Sequence, residues 1–183
     1  MSLSQMIRRL PAMSPALLLC AVLALPASAA ELKAPNVVPL SPSLTTAGQP
    51  TRASLEALSA LGYEAVIYLA PPSVPDAVPE EGTLVGSQGL TYINIPIRFN
   101  KPTDRDFEIF AAAVDALKDR RLLVHCQVNM RASSMMFLYR VLRGKEDPET
   151  AYQDVTRVWT PNGTWKEFIA AMLKKHQVAF DLY

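Results

Sequence analysis

Three short apolar runs punctuate segments of helical periodicity along the chain. Ala65-Val66-Ile67-Tyr68-Leu69, Thr91–Ile97 and Leu122-Leu123-Val124-His125 lack the apolar–polar alternation of a half-exposed strand. They are short and rich in β-branched and aromatic residues, so each reads as a buried strand. Around them the pattern changes to a 3.6-residue period. Thr51 can cap a helix over Arg52–Leu61 that Gly62 ends, and Glu80–Gln88 can form a short helix before Gly89. Thr103 caps a helix to about Lys118, with acids in its first turn and Phe107, Phe110, Ala111, Val114 and Leu117 on one stripe. A further helix opens near Arg131 and runs through Leu142 to Gly144, Asp147-Pro148 starts another, and Thr164–His176 forms the last. Residues 31–50, rich in Pro, Ser and Thr, read as a lead-in segment with a short strand at Asn36–Leu40. Alternating strands and helices predict an α/β fold, a mostly parallel central sheet covered by helices on both faces. No internal repeat and no second domain interrupt the order.

The first thirty residues follow a different pattern. Arg8 and Arg9 precede an uncharged apolar run from Ala16 to Leu25, then Pro26 and the small residues Ala27-Ser28-Ala29. These are the three regions of a secretory signal peptide at residues 1–29, ahead of a single domain at residues 30–183. The apolar run is roughly ten residues where a membrane-spanning helix needs ~20, so no stable span is expected after cleavage. The expected location is secreted or periplasmic.

Composition refines this picture. The chain has 183 residues, with 18 Lys and Arg against 17 Asp and Glu, and half of its residues are hydrophobic. That excludes a disordered chain and a nucleic-acid binder acting through a strong positive field. Removing the leader takes away Arg8, Arg9 and Cys20 and leaves about 154 residues, enough for one core without disulfide staples. One cysteine and two histidines remain, a poor set for zinc, and neither a metal nor an organic cofactor is implied. A lone thiol in an oxidising compartment is either buried and inert or kept for its chemistry.

The chemistry concentrates in Leu122-Leu123-Val124-His125-Cys126-Gln127-Val128-Asn129-Met130-Arg131-Ala132-Ser133-Ser134. A buried parallel strand ends at His125, and Cys126 begins a short loop at the carboxyl edge of the sheet, where open α/β folds bind ligands. The loop runs into a helix whose amino end offers unpaired N–H groups and a partial positive charge. Arg131 adds a cation with a planar fork suited to an oxyanion. This setting lowers the pKa expected of a thiol at Cys126 and forms a cradle for phosphate from Gln127, Val128, Asn129, Met130 and Arg131. Ser133 or Ser134 can supply a hydroxyl to the thiolate. The competing reading makes Cys126 a small buried hydrophobe, Arg131 a surface charge and His125 a core histidine.

The segment resembles the signature loop of cysteine-dependent protein tyrosine and dual-specificity phosphatases: His-Cys, five intervening residues, Arg and Ser or Thr. The resemblance extends from about Thr46 to Tyr139. Ala47-Gly48-Gln49-Pro50-Thr51, Gly62–Leu69 and Tyr92–Ile97 are similar to a bacterial branch that includes domains related to beta-lactamase-hydrolase-like proteins. The resemblance implies phosphomonoester hydrolysis through a thiophosphoryl intermediate on Cys126. Arg131 would hold the phosphate, Ser133 would assist the second step and His125 would support the nucleophile. Two departures stand out. Only four residues separate Cys126 from Arg131, and Asn129 takes the place of the usual loop glycine. The short spacing resembles rhodanese-type sulfurtransferases, which carry a persulfide, so that reaction is the alternative. The family's acid position falls at Phe99–Asn100, which leaves Asp104, or Asp106 beside it, as candidate acid. Without any acid the chain would be a non-catalytic module that binds a phosphorylated or sulfated group. The partner expected is a phosphorylated substrate whose class the sequence does not select.

Overall fold

The computed structural model describes residues 31–183; the proposed signal peptide lies outside them. The described chain contains a five-stranded sheet and six helices. The strands are β1 (Val38–Ser41), β2 (Leu44–Ala47), β3 (Ala65–Tyr68), β4 (Thr91–Asn94) and β5 (Leu122–His125). The helices are α1 (Arg52–Glu56), α2 (Glu81–Gly86), α3 (Asp104–Leu117), α4 (Met130–Leu142), α5 (Pro148–Thr156) and α6 (Gly163–Lys175). The spatial order is β1-β2-β5-β3-β4, and every pairing is parallel except β1 with β2. The α/β class and mostly parallel sheet expected from the sequence are therefore present.

Side chains of the two central strands alternate between two cores. Ala65, Ile67, Leu122 and Val124 join the larger cluster with α3, α4 and α6. Val66 and Leu123 join Leu55, Leu58 and Val85 of the other face. All four residues of β3 and of β5 are buried, as expected of strands covered on both sides. The α3 stripe is buried in full, and Thr103 closes a capping box with Asp106. From Arg131 to Leu138 every residue of α4 is buried, so this helix runs through the core rather than over it.

Three elements differ from the sequence reading. The lead-in segment contains a hairpin, and β2 is a genuine strand between β1 and β5. Its Thr45 and Thr46 are buried although polar. The first helix stops at Glu56, because Ala57 already leaves helical geometry at φ −106 and ψ 4, and turns carry the chain to Gly62. The strand at Thr91 ends at Asn94, two residues before Pro96, because proline cannot donate to a ladder.

Candidate active site

The carboxyl ends of β2, β5 and β3 lie side by side, with Ala47 and Tyr68 both in register with His125. Cys126 leaves β5 at this edge, and its N–H donates to Ala47 O at 3.2 Å. The segment after β2 clamps the loop from one side. Gln49 N–H donates to Gln127 O at 2.9 Å and Gly48 N–H to Pro35 O at 2.7 Å. A Cβ on Gly48 would lie 2.7 Å from Gln127 O, so only glycine allows this approach.

Asn129 turns the loop onto α4. It stands at φ 72, left-handed geometry that asparagine tolerates better than most residues. Its Nδ2 donates to Asn36 O at 2.7 Å and to the buried Thr46 Oγ1 at 3.1 Å, while Asn36 Nδ2 donates to Val128 O at 3.0 Å. The residue in the glycine's place thus supplies the required backbone and ties it to the hairpin. Asn129→Ala is expected to cost about 1–3 kcal/mol, through strain and lost hydrogen bonds. Asn129→Gly restores the backbone alone, so thermal melts should rank wild type above Gly and Gly above Ala.

Beneath the loop lies a buried polar layer. His125 Nε2 pairs with Glu81 Oε1 at 2.8 Å, and Gln49 Nε2 donates to Glu81 Oε2 at 2.6 Å. The Tyr68 ring stacks on His125 with centroids 4.7 Å apart. Burial, then the negative charges of Glu81, Asp76 and Cys126, hold the Tyr68 phenol well above its ordinary pKa. It stays a neutral hydroxyl, and its buried oxygen has no partner among the described residues. His125 is a core histidine, and the chain passes from it directly to Cys126.

Arg131 is not a surface charge; it is 5% exposed. Its Nε donates to Ile97 O at 3.0 Å, and both terminal nitrogens reach Gln127 Oε1 at 3.3 and 3.4 Å. The guanidinium lies over the Phe99 ring, 5.1 Å from its centroid. Trp165 Nε1 donates to Phe99 O at 2.8 Å, and the rings of Trp159 and Trp165 tilt against Phe99. The two tryptophans therefore fix the aromatic floor of the arginine. A cavity of about 210 Å³ opens here, lined by Phe99, Gln127, Val128, Met130 and Arg131.

The remaining candidates divide. Cys126 is fully buried at the base of the loop. The N–H groups of Gln127, Val128, Met130, Arg131 and Ala132 donate to no protein acceptor among the described residues. A row of unspent donors that follows a cysteine and shares its loop with a buried guanidinium can act as an oxyanion cradle. Ser133 Oγ donates to Met130 O at 3.2 Å, whereas Ser134 Oγ is buried and unpartnered. Asp104 is exposed at the start of α3, and its Oδ2 accepts from Lys175 Nζ at 2.6 Å. Among the described residues, no hydrogen bond joins it to the loop. Asp106 is spent in the capping box. The carboxylate that reaches the loop is Asp76, whose Oδ1 accepts from Gln127 Nε2 at 2.6 Å. Sequence reasoning passed over Asp76, Glu81, Gln49 and Tyr68. One signal could have found Asp76: the loop after β3 leaves the same sheet edge as Cys126. Among the described residues, no cluster of three or more His, Cys, Asp or Glu side chains is placed to hold a metal ion.

Residues 38–170 match the family model described as a DSP-PTPase phosphatase fused to NAD+ kinase. The chain belongs to this DSP-PTPase phosphatase family. The enzymes of this family are cysteine-based. A DUF442 protein of Shewanella putrefaciens CN-32, described as a phosphatase, is 31% identical with a TM-score of 0.71; the match covers 78% of this chain and 94% of that one. P. aeruginosa TpbA shares the fold at 16% identity and a TM-score of 0.58, over 76% of this chain and 84% of that one. The beta-lactamase hydrolase-like protein of Agrobacterium fabrum is 29% identical over 113 residues, 60% of this chain. The chain spans about a quarter of that relative's length, 26%. The bacterial branch named from the sequence is thus among its relatives. The four-residue spacing that resembles sulfurtransferases occurs here within a phosphatase family.

Proposed function

We propose that this phosphatase is exported and hydrolyses phosphomonoesters in two steps through a thiophosphoryl group on Cys126. The thiolate attacks phosphorus and the ester oxygen departs; water then attacks phosphorus and the thiolate leaves. Arg131 and the unspent N–H groups of the loop hold the equatorial oxygens as charge shifts onto them. A substrate oxygen takes the guanidinium donors that Gln127 Oε1 now occupies. The Ser133–Ser134 pair supplies a hydroxyl to the departing thiolate; Ser134, whose oxygen is unpartnered, is the better donor. Export rests on the Arg8-Arg9, Ala16–Leu25 and Ala27-Ser28-Ala29 pattern.

The observation that carries this reading is the pairing of a buried Cys126 with five unspent N–H groups of the loop and the first turn of α4 and a buried Arg131. Rapid mixing with an activated aryl phosphate should release a burst of phenolate equal to the enzyme present. Acid quenching should trap phosphate on the peptide containing Cys126, and vanadate should suppress both. Turnover with no burst and no phosphorylated cysteine would overturn the covalent route. Phosphate binding without turnover would identify a binding module.

A further inference from the structure

We infer that Asp76 is the general acid of this reaction, carried by the proline-rich loop after β3 and held against the signature loop by Gln127. The inference rests on the phosphatase reading above and names a residue that reading leaves open. Three observations support it. First, Asp76 is the only carboxylate among the described residues that hydrogen-bonds to a side chain of residues 126–131. Second, the Gln127 amide bridges it to the cradle, with Nε2 on Asp76 and Oε1 facing both terminal nitrogens of Arg131. When a substrate oxygen replaces Oε1 on the guanidinium, the acid one amide away sits beside the bound phosphate. Third, the other nearby acids are engaged elsewhere: Glu81 by His125 and Gln49, Asp104 by Lys175, and Asp106 by Thr103.

The loop suits the task. Pro71, Pro72, Pro75 and Pro79 restrict its backbone, so placing the carboxyl requires little ordering. Asp76 is exposed, which gives it access to protons from solvent and to a leaving group entering from outside. Tyr68, stacked on His125 and in register with it, ends the strand from which the Asp76 loop departs, so the acid and the nucleophile leave neighbouring strands at the same edge. In the first step the Sγ–P bond forms, the P–O ester bond breaks, and the leaving oxygen takes the proton of the Asp76 carboxyl. In the second, the Asp76 carboxylate takes a proton from water as the water oxygen bonds to phosphorus and the S–P bond breaks, returning the thiolate and the acid.

The test compares an aryl phosphate with an acidic leaving group and an alkyl phosphate with a basic one. Asp76→Asn is expected to lower turnover of the alkyl ester about 10²–10³-fold and to spare the activated ester, which departs without a proton. A melting curve matching wild type establishes that the variant is folded. Equal small losses on both esters, or the selective loss appearing in Asp104→Asn instead, overturn the assignment to Asp76. A wild-type chain that forms no phosphorylated Cys126 with either ester overturns the phosphatase reading itself, a distinct result.

Discussion

Cys126→Ser is expected to leave the chain folded and to reduce turnover of an activated aryl phosphate by on the order of 10⁴-fold or more, as removal of a covalent nucleophile does elsewhere. The site is built for a thiolate. The loop N–H groups, the amino end of α4 and Arg131 supply the positive partial charges that the proposed route requires around the sulfur. A serine hydroxyl does not ionise under the same influence, and no base within the loop takes its proton. Arg131→Lys keeps the charge but loses the planar fork, the bond to Ile97 O and the stacking on Phe99. It should cost about 10²–10³-fold in kcat, the usual loss for a transition-state oxyanion donor. Phenolate release in steady state checks both variants, with melting curves as the folding control. Turnover by Cys126→Ser near the wild-type level would remove the thiol from the chemistry.

The residues that carry this prediction were legible because they are local. Strand, Cys126, loop, Arg131 and helix follow one another within a few positions, so an apolar run, a cap signal and a cation suffice to place them. The stripe of α3 was legible for a similar reason: its period is contained within one element. The strand β2 was not. Its Leu44-Thr45-Thr46-Ala47 lies among prolines and has no apolar run, and it is a strand because it pairs with β1 and β5. Thr46 is buried as a polar residue because Asn129 donates to its hydroxyl. That partnership spans 83 positions and leaves no local trace.

The supporting layer was invisible on the same grounds. Glu81 stands 44 residues before His125, and Asp76 stands 51 before Gln127. Both come from the stretch between β3 and β4, whose prolines and polar residues read as an unremarkable loop and weak helix. The fold brings them in because β3 lies next to β5 in the sheet although β5 comes third among the parallel strands that follow β2. The family's expected acid position was occupied by Phe99. The structure gives Phe99 a different task, as the surface on which the Arg131 guanidinium lies.

Glu81→Ala is expected to destabilise the chain by about 3–5 kcal/mol, the usual penalty for leaving two buried polar groups without the acceptor they share. Glu81 is 5% exposed, and both carboxylate oxygens are engaged, one by His125 and one by Gln49. Removing it leaves His125 Nε2 and Gln49 Nε2 buried without acceptors, beside His125 Nδ1 and Gln49 Oε1, which already lack partners among the described residues. At ~2–4 °C per kcal/mol for a domain of this size, the melting temperature should fall by about 6–20 °C. Glu81→Gln retains oxygen and nitrogen at the same positions and should recover part of that loss. The loss should also reach the active site, because His125 is the residue from which the Cys126 loop departs. Turnover of Glu81→Ala measured well below its melting range should therefore still be reduced, with a smaller change in KM than in kcat. A variant that melts within about 2 °C of wild type would show that this pair does not hold the floor of the loop.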